Sequence, residues 1–206
     1  MKYTGERMIP GTLGAENSFQ EHIIRYDFAT QFCKNKTVLD LGCGSGYGSY
    51  YLKTYGAKNV YGIDLSQEAA DYCREAYPSC HFKQGRATNT TYKNNSFDVV
   101  VCFELIEHLS EQEELMNEIK RILKKDGILI MSTPNKDTFP RGNPFHIREL
   151  TEKEYLHLLN KFFKTNKLFY EYYPYSLIIK GKEAPVHYLS EKNSNFALFF
   201  VSVSTN

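Results

Sequence analysis

The chain has no tryptophan, no cysteines in CxxC spacing, no apolar run as long as a membrane helix, and almost no surplus of charge. Each shortage removes a class of function. Without roughly 18 to 20 consecutive apolar residues nothing crosses a bilayer as a helix, and the opening MKYTGERMIPG lacks the apolar stretch of a signal peptide. Lysine plus arginine, 25, nearly balance aspartate plus glutamate, 24, and the charges are interspersed. No basic block is present to grip nucleic acid or anionic lipid. Cys33, Cys43, Cys73, Cys80 and Cys102 are odd in number and irregularly spaced, which fits reduced thiols better than a disulfide framework. Cys80 and His81 are adjacent, but no further ligands stand at zinc-like spacing, so no metal centre is expected. The expectation is a cytoplasmic protein without membrane insertion or a nucleic-acid partner. A length of 206 residues suits one domain with a sizeable core.

What is present is an alternation of short apolar runs with helical patterns. Ser18 to Glu21 reads as a capping box, and Phe19, Ile23, Ile24, Phe28 and Phe32 recur at helical spacing behind it. Val38 to Leu41 reads as a strand that breaks into Gly42-Cys43-Gly44-Ser45-Gly46-Tyr47-Gly48 before a helix through Leu52. Val60 to Asp64 is a second strand, and Ser66 caps a helix through Ala76. Cys80 to Gln84 is the next strand. Phe97 to Phe103 is apolar without alternation, the pattern of a strand covered on both faces. A helix over Glu111 to Leu123 ends in Lys124 and Lys125 and turns through Asp126-Gly127 into the strand Ile128 to Ser132. The βα alternation predicts a Rossmann-like, doubly wound α/β fold with a mostly parallel seven-stranded sheet. Thr133 to Pro144 is irregular and rich in proline, glycine and asparagine, a long loop of the kind that carries function. A second capping box, Thr151 with Glu154, starts a helix to about Phe163. Leu168 to Ile179 and Phe196 to Val203 then form an antiparallel C-terminal hairpin. The expected organisation is one domain over 1–206, with an N-terminal cap helix in 1–35, a cofactor-binding core in 36–135, and a substrate loop, helix and last strands in 136–206.

A glycine loop after the first strand lies where a parallel sheet binds its ligand. Glycines there allow positive φ and close approach. Asp64, some twenty residues on, ends the second strand, where a carboxylate can accept from a ribose diol. The dinucleotide fingerprint G-x-G-x-x-G is not met: counted from Gly42 the third slot holds Tyr47, and from Gly44 it holds Ser49. Instead Asp40-Leu41-Gly42-Cys43-Gly44-Ser45-Gly46 resembles the first cofactor motif of the class I S-adenosylmethionine-dependent methyltransferases. Phe97-Asp98-Val99-Val100-Val101 with Glu104-Leu105-Ile106-Glu107-His108-Leu109 is similar to that family's fourth-strand motif, and Leu123 to Ile130 to its fifth-strand entry. Gly5-Glu6-Arg7, Glu21 to Tyr26 and Asn143 to Leu150 resemble a bacterial subgroup often encoded with glycosyltransferases in glycan biosynthesis.

The resemblance implies S-adenosylmethionine as cofactor. It sets Gly42, Cys43, Gly44 and Gly46 against the methionine and ribose, Asp40 to orient their loop, Asp64 on the ribose hydroxyls and Leu65 beside adenine. Where the family often has an acidic residue for the adenine amino group, this chain has Gly85-Arg86-Ala87-Thr88; either backbone carbonyls and Ala87 complete that pocket or Arg86 stacks on adenine. Phe103 and Glu104 belong where the fourth strand opens towards the methionine end, with core packing the other reading of Phe103. Among groups for chemistry, His108 is a candidate base or a loop-holding histidine. His146 is a candidate base, with Arg141 and Arg148 nearby for hydroxyls or phosphate, or else a loop anchor. His22, Arg25 and Tyr26 form a substrate wall or a solvated helix face. The 16 tyrosines suit a saccharide-stacking platform. The expected activity is methyl transfer to oxygen or nitrogen of a small acceptor, first a saccharide, nucleotide-sugar or glycan intermediate. Another small metabolite, such as a quinone precursor or an amine, is the alternative, and a cofactor-binding regulator without transferase activity is a third. A homodimer is compatible with the sequence, which leaves oligomeric state open.

Overall fold

The computed structural model describes residues 8–11, 16–140, 142–171, 189–190 and 198–205. In chain order come α1 (Glu16–Cys33), β1 (Thr37–Leu41), α2 (Tyr47–Thr54), β2 (Asn59–Asp64), α3 (Gln67–Ala76), β3 (His81–Gln84), β4 (Phe97–Phe103), a 3-10 turn (Ile106–His108), α4 (Gln112–Ile122), β5 (Leu123–Pro134), α5 (Glu152–Phe162), β6 (Thr165–Glu171), β7 (Leu189–Ser190) and β8 (Phe199–Thr205). The strands lie in the order β3-β2-β1-β4-β5-β8-β6-β7. The first five are parallel, and β8 inserts between β5 and β6, antiparallel to both. The expected doubly wound sheet with an antiparallel pair at its end is thus observed. The two residues of β7 extend its edge beside β6.

The unbroken apolar run of β4 has its predicted cause. Val99 and Val101 pack on one face with Val38, Val60, Ala29 and Leu52, while Val100 and Cys102 pack on the other with Leu39, Leu115, Ile119 and Leu159. Both faces are dry, so neither can be polar. Caps at Ser66 and Thr151 hold as expected: Ser66 Oγ accepts from the Ala69 amide, and Thr151 with Glu154 closes a full capping box.

Other boundaries differ. Helix α1 starts at Glu16, so Ser18 lies inside it rather than capping it. Strand β5 begins at Leu123 instead of Ile128, because Leu123 pairs with Phe97 across a bulge and Lys124 reaches Asp98 on β4 at 2.7 Å. Lys124 and Lys125 lie in that bulge, just past the end of α4. Strand β6 starts at Thr165, three residues early. Gly5, Glu6, Arg7, Arg141, Tyr172, Tyr173 and Tyr175 lie outside the described residues. Within the described residues no helix is long and apolar enough to cross a membrane, and the five cysteines are buried free thiols.

Candidate functional site

The strand order reverses between β1 and β4, and the loop leaving β1 sits at that reversal, the ordinary ligand position in such sheets. Gly42, Gly44 and Gly46 take φ of 80°, 55° and 78°, a region that side chains with a β-carbon avoid. A Cβ on Gly46 would stand 2.6 Å from Cys73 Sγ, and one on Gly42 would stand 3.1 Å from Leu105. The loop is pressed between α3 and the segment after β4.

Two aspartates fix it. From β1, buried Asp40 accepts the Ser49 hydroxyl of α2 at 2.6 Å and the Tyr26 hydroxyl of α1 at 3.2 Å. Burial pushes its carboxyl up to about 6, against the pull of those two hydrogen bonds. Asp40 thus ties α1 to α2 behind the loop. From β2, Asp64 accepts the Gly44 amide at 3.0 Å on one oxygen and the Ser66 amide at 2.9 Å on the other. Its carboxylate thus stands at the glycine loop, at the end of β2. Leu65 follows at 65% exposure, an apolar side chain held in the open beside the loop. Arg86 is exposed in a turn bridged to Asn89, and Ala87 packs partly on the core. Cys43 is buried, so it offers the cradle its backbone and not its thiol.

Tyr26 is corrected from substrate wall to core. It is 6% exposed, and its ring lies so close over α2 that a Cβ on Gly48 would meet it at 1.9 Å. Phe103 is likewise packed, edge-on to Tyr26 at 5.1 Å, which favours the core reading. His22 receives or donates the Tyr47 hydroxyl bond at 2.7 Å; burial and the neighbouring Arg25 charge hold it neutral, its value lowered to about 3. The solvated-face reading of these residues fails because α1 lies against α2.

Arg25 turns inward with them. It is 1% exposed and pairs with Glu104 at 3.0 Å and Glu171 of β6 at 3.1 Å, its guanidinium over the Phe199 ring. Glu104 adopts φ of 49°, unusual for a residue with a β-carbon, and its carboxylate accepts the Ser132 hydroxyl at 2.6 Å. Burial pushes Glu171 up to about 8 despite Arg25. Neither Arg25 as a buried cation nor Glu171 stood out in the sequence. The available signal was a charged residue at the buried phase of each element.

Beyond Glu104, the 3-10 turn presents Glu107 and His108. Glu107 is fully buried, accepts the Thr133 hydroxyl at 3.1 Å, and takes the Ile147 and Arg148 amides on its backbone carbonyl at 2.8 and 3.0 Å. His108 Nδ1 donates to the Phe145 carbonyl at 2.9 Å, and His146 Nδ1 donates to Glu149 at 2.6 Å. The two imidazoles meet edge-on at 5.0 Å. Both histidines thus anchor the loop, as their structural readings had it, and both stand together. Arg148 instead lies 3.6 Å from Glu154 and lines a cleft of about 990 Å³ along α5, none of whose lining residues belongs to the glycine loop.

Comparison with known proteins agrees with this geometry. Residues 39–131 match the family described as a methyltransferase domain. A probable S-adenosylmethionine-dependent methyltransferase of Mycolicibacterium smegmatis is 37% identical over 161 residues, covering 76% of this chain and 62% of that protein. A ubiquinone biosynthesis O-methyltransferase of Actinobacillus pleuropneumoniae is 32% identical over 125 residues, covering 55% of this chain and 53% of the relative. The chain thus spans less than two thirds of the length of either. The solved structure of an S-adenosylmethionine-dependent methyltransferase from Thermotoga maritima aligns with a TM-score of 0.66 at 20% identity, covering 92% of this chain and 95% of that one; it speaks for the fold.

Proposed function

We propose that the chain is a class I S-adenosylmethionine-dependent methyltransferase, the family its matching relatives point to, and that it moves the methyl group of that cofactor to an oxygen or nitrogen of a small acceptor, first among them a saccharide or nucleotide-sugar. The observation that carries the reading is the cradle itself: three positive-φ glycines, with no room for a β-carbon at Gly46 and a tight fit at Gly42, tied through Gly44 to the carboxylate of Asp64. The donor set fits the cofactor, with Asp64 for a ribose diol, Leu65 for adenine, and glycine backbone for the methionine portion. When bound, the cofactor supplies a methyl already activated by its sulfonium.

The remaining work falls to the chain. Aligning a nucleophile with the S–CH₃ axis and excluding water can supply roughly 7 to 11 kcal/mol, whereas a base adds about 10² to 10⁴ in rate. Glu104, held by Arg25 and Ser132, and His108 beside Phe145 line the segment after β4. Glu104 and His108 can accept hydrogen bonds from acceptor hydroxyls, and the half-exposed Phe145 offers a ring face to sugar C–H groups. The quinone-precursor reading keeps its place because several relatives carry that name. Isothermal titration with S-adenosylmethionine, S-adenosylhomocysteine and NAD tests the premise. Saturable binding of the two sulfur ligands alone is expected; a preference for NAD, or no binding, sinks it. A label-transfer screen over nucleotide-sugars and catechols then separates the acceptor classes.

A further inference from the structure

The spacing of residues offered no metal set, yet the fold assembles one. Glu107 and His108 come from the turn after β4, and His146 from the loop folded over it. One ligand atom from each lies within 4.8 Å of the others, and Glu107 Oε1 stands 3.9 Å from His108 Nε2. We propose that Glu107, His108 and His146 bind a divalent transition cation, with Zn²⁺ and Mn²⁺ the best matched.

Four observations support it. First, Glu107 is fully buried while its Oε1 receives no hydrogen bond among the described residues. A buried carboxylate oxygen without a partner is costly, and a cation beside it removes the cost. Second, the tautomers are set for ligation. His108 Nδ1 faces a carbonyl and His146 Nδ1 faces a carboxylate. Neither partner can donate, so Nδ1 is the donor in both rings, and in the neutral imidazole Nε2 is the nitrogen left to ligate. Third, each ligand has the outer partner that metal ligands ordinarily have: Glu149 on His146, the Phe145 carbonyl on His108, the Thr133 hydroxyl on Glu107. Fourth, two imidazoles with one carboxylate suit borderline divalent metals, and three protein ligands leave positions open for an exchangeable ligand, as in catalytic sites. Binding has one local cost. His146 Nε2 now meets the Asn143 amide at 3.0 Å, which must swing aside, and the three ligand atoms must close to the roughly 2.0–2.2 Å metal distances of such sites.

The use of the cation, though not its binding, rests on the methyl-transfer reading above. Leu105, two residues before Glu107, abuts Gly42 of the cradle. A cation at this turn would take an acceptor hydroxyl at its open position and lower that hydroxyl's pKa, the proton leaving to solvent water.

Calorimetric titration of the chelator-treated full chain with MnCl₂ and with ZnCl₂, cofactor absent, tests the site. One saturable site is expected, weakened at least tenfold by Glu107→Gln or His146→Ala and about 10- to 100-fold by Glu149→Gln. No saturable binding at millimolar metal, or binding that both ligand substitutions leave unchanged, overturns the proposal. Should either variant fail to fold, imidazole NMR of the unaltered chain with Zn²⁺ decides: His108 and His146 resonances are expected to move, and movement confined to other residues overturns it. S-adenosylhomocysteine titration of the same samples reads the methyl-transfer premise separately.

Discussion

Asp64 is the residue on which the cofactor reading is most exposed to test. It spends one lone pair of each carboxylate oxygen on Gly44 and Ser66, so Asp64→Ala removes both a ribose acceptor and a loop tether. Hydrogen bonds to charged groups contribute about 1.5–3 kcal/mol, and S-adenosylhomocysteine affinity is expected to fall about 10- to 100-fold by calorimetry. Unchanged affinity would take Asp64 off the cofactor. Its place beside the loop was legible because it follows from strand, loop and distance along one chain. Glu107 was not: its partner His146 lies 39 positions away across a loop, and no periodicity reports such a meeting. Tyr26 misled for a related reason. Its helix phase with His22 was read correctly, but which flank of α1 faces the protein depends on α2 passing beneath it.

Elements were read well where one face or both are buried, and less well at their ends. Strand β4 and the caps at Ser66 and Thr151 follow from apolar runs and local hydrogen bonding. The start of β5 does not, because the isolated pair of Leu123 with Phe97, across a bulge holding Lys124 and Lys125, extends the strand back to the end of α4; tertiary pairing overrides propensity there. The contact of α1 with α2 carries its own prediction. A Cβ at position 48 would lie inside the Tyr26 ring contact, so Gly48→Ala is expected to cost at least about 1–3 kcal/mol through overpacking. A urea melt measures it, and an unshifted midpoint would mean that α1 does not pack on α2 as described.

At the scale of the whole molecule, α1, the end of β4 and β6 meet around one guanidinium. Arg25 faces Glu21 on its own helix, Glu104 after β4 and Glu171 on β6. Glu171, raised by burial to about 8 from 4.5, keeps its proton in the folded state where the unfolded chain has lost it. Its contribution to stability is complete below pH 4.5 and is lost as pH rises through 8. Asp40, raised to about 6, acts in the same direction at lower pH, while His22, lowered to about 3, opposes it below pH 6.5. Between pH 6.5 and 8 Glu171 is left as the governing group of these three. Unfolding free energy is expected to fall there by up to about 1.4 kcal/mol per pH unit, and Glu171→Gln to flatten the slope. A flat profile in the unaltered chain would contradict the protonation.

The insertion of β8 between β5 and β6 also sets an order of events during synthesis. Pairs such as Met131 with Ser202 join residues 71 positions apart, and closing so long a loop is slow compared with helix formation or the pairing of neighbouring strands. A ribosome-bound chain can complete β1 to β5 and their helices first. It must then hold the apolar edge of β5 unpaired until β8 emerges, so the interval between translating residues 134 and 199 is when the nascent protein is most open to aggregation and to chaperones.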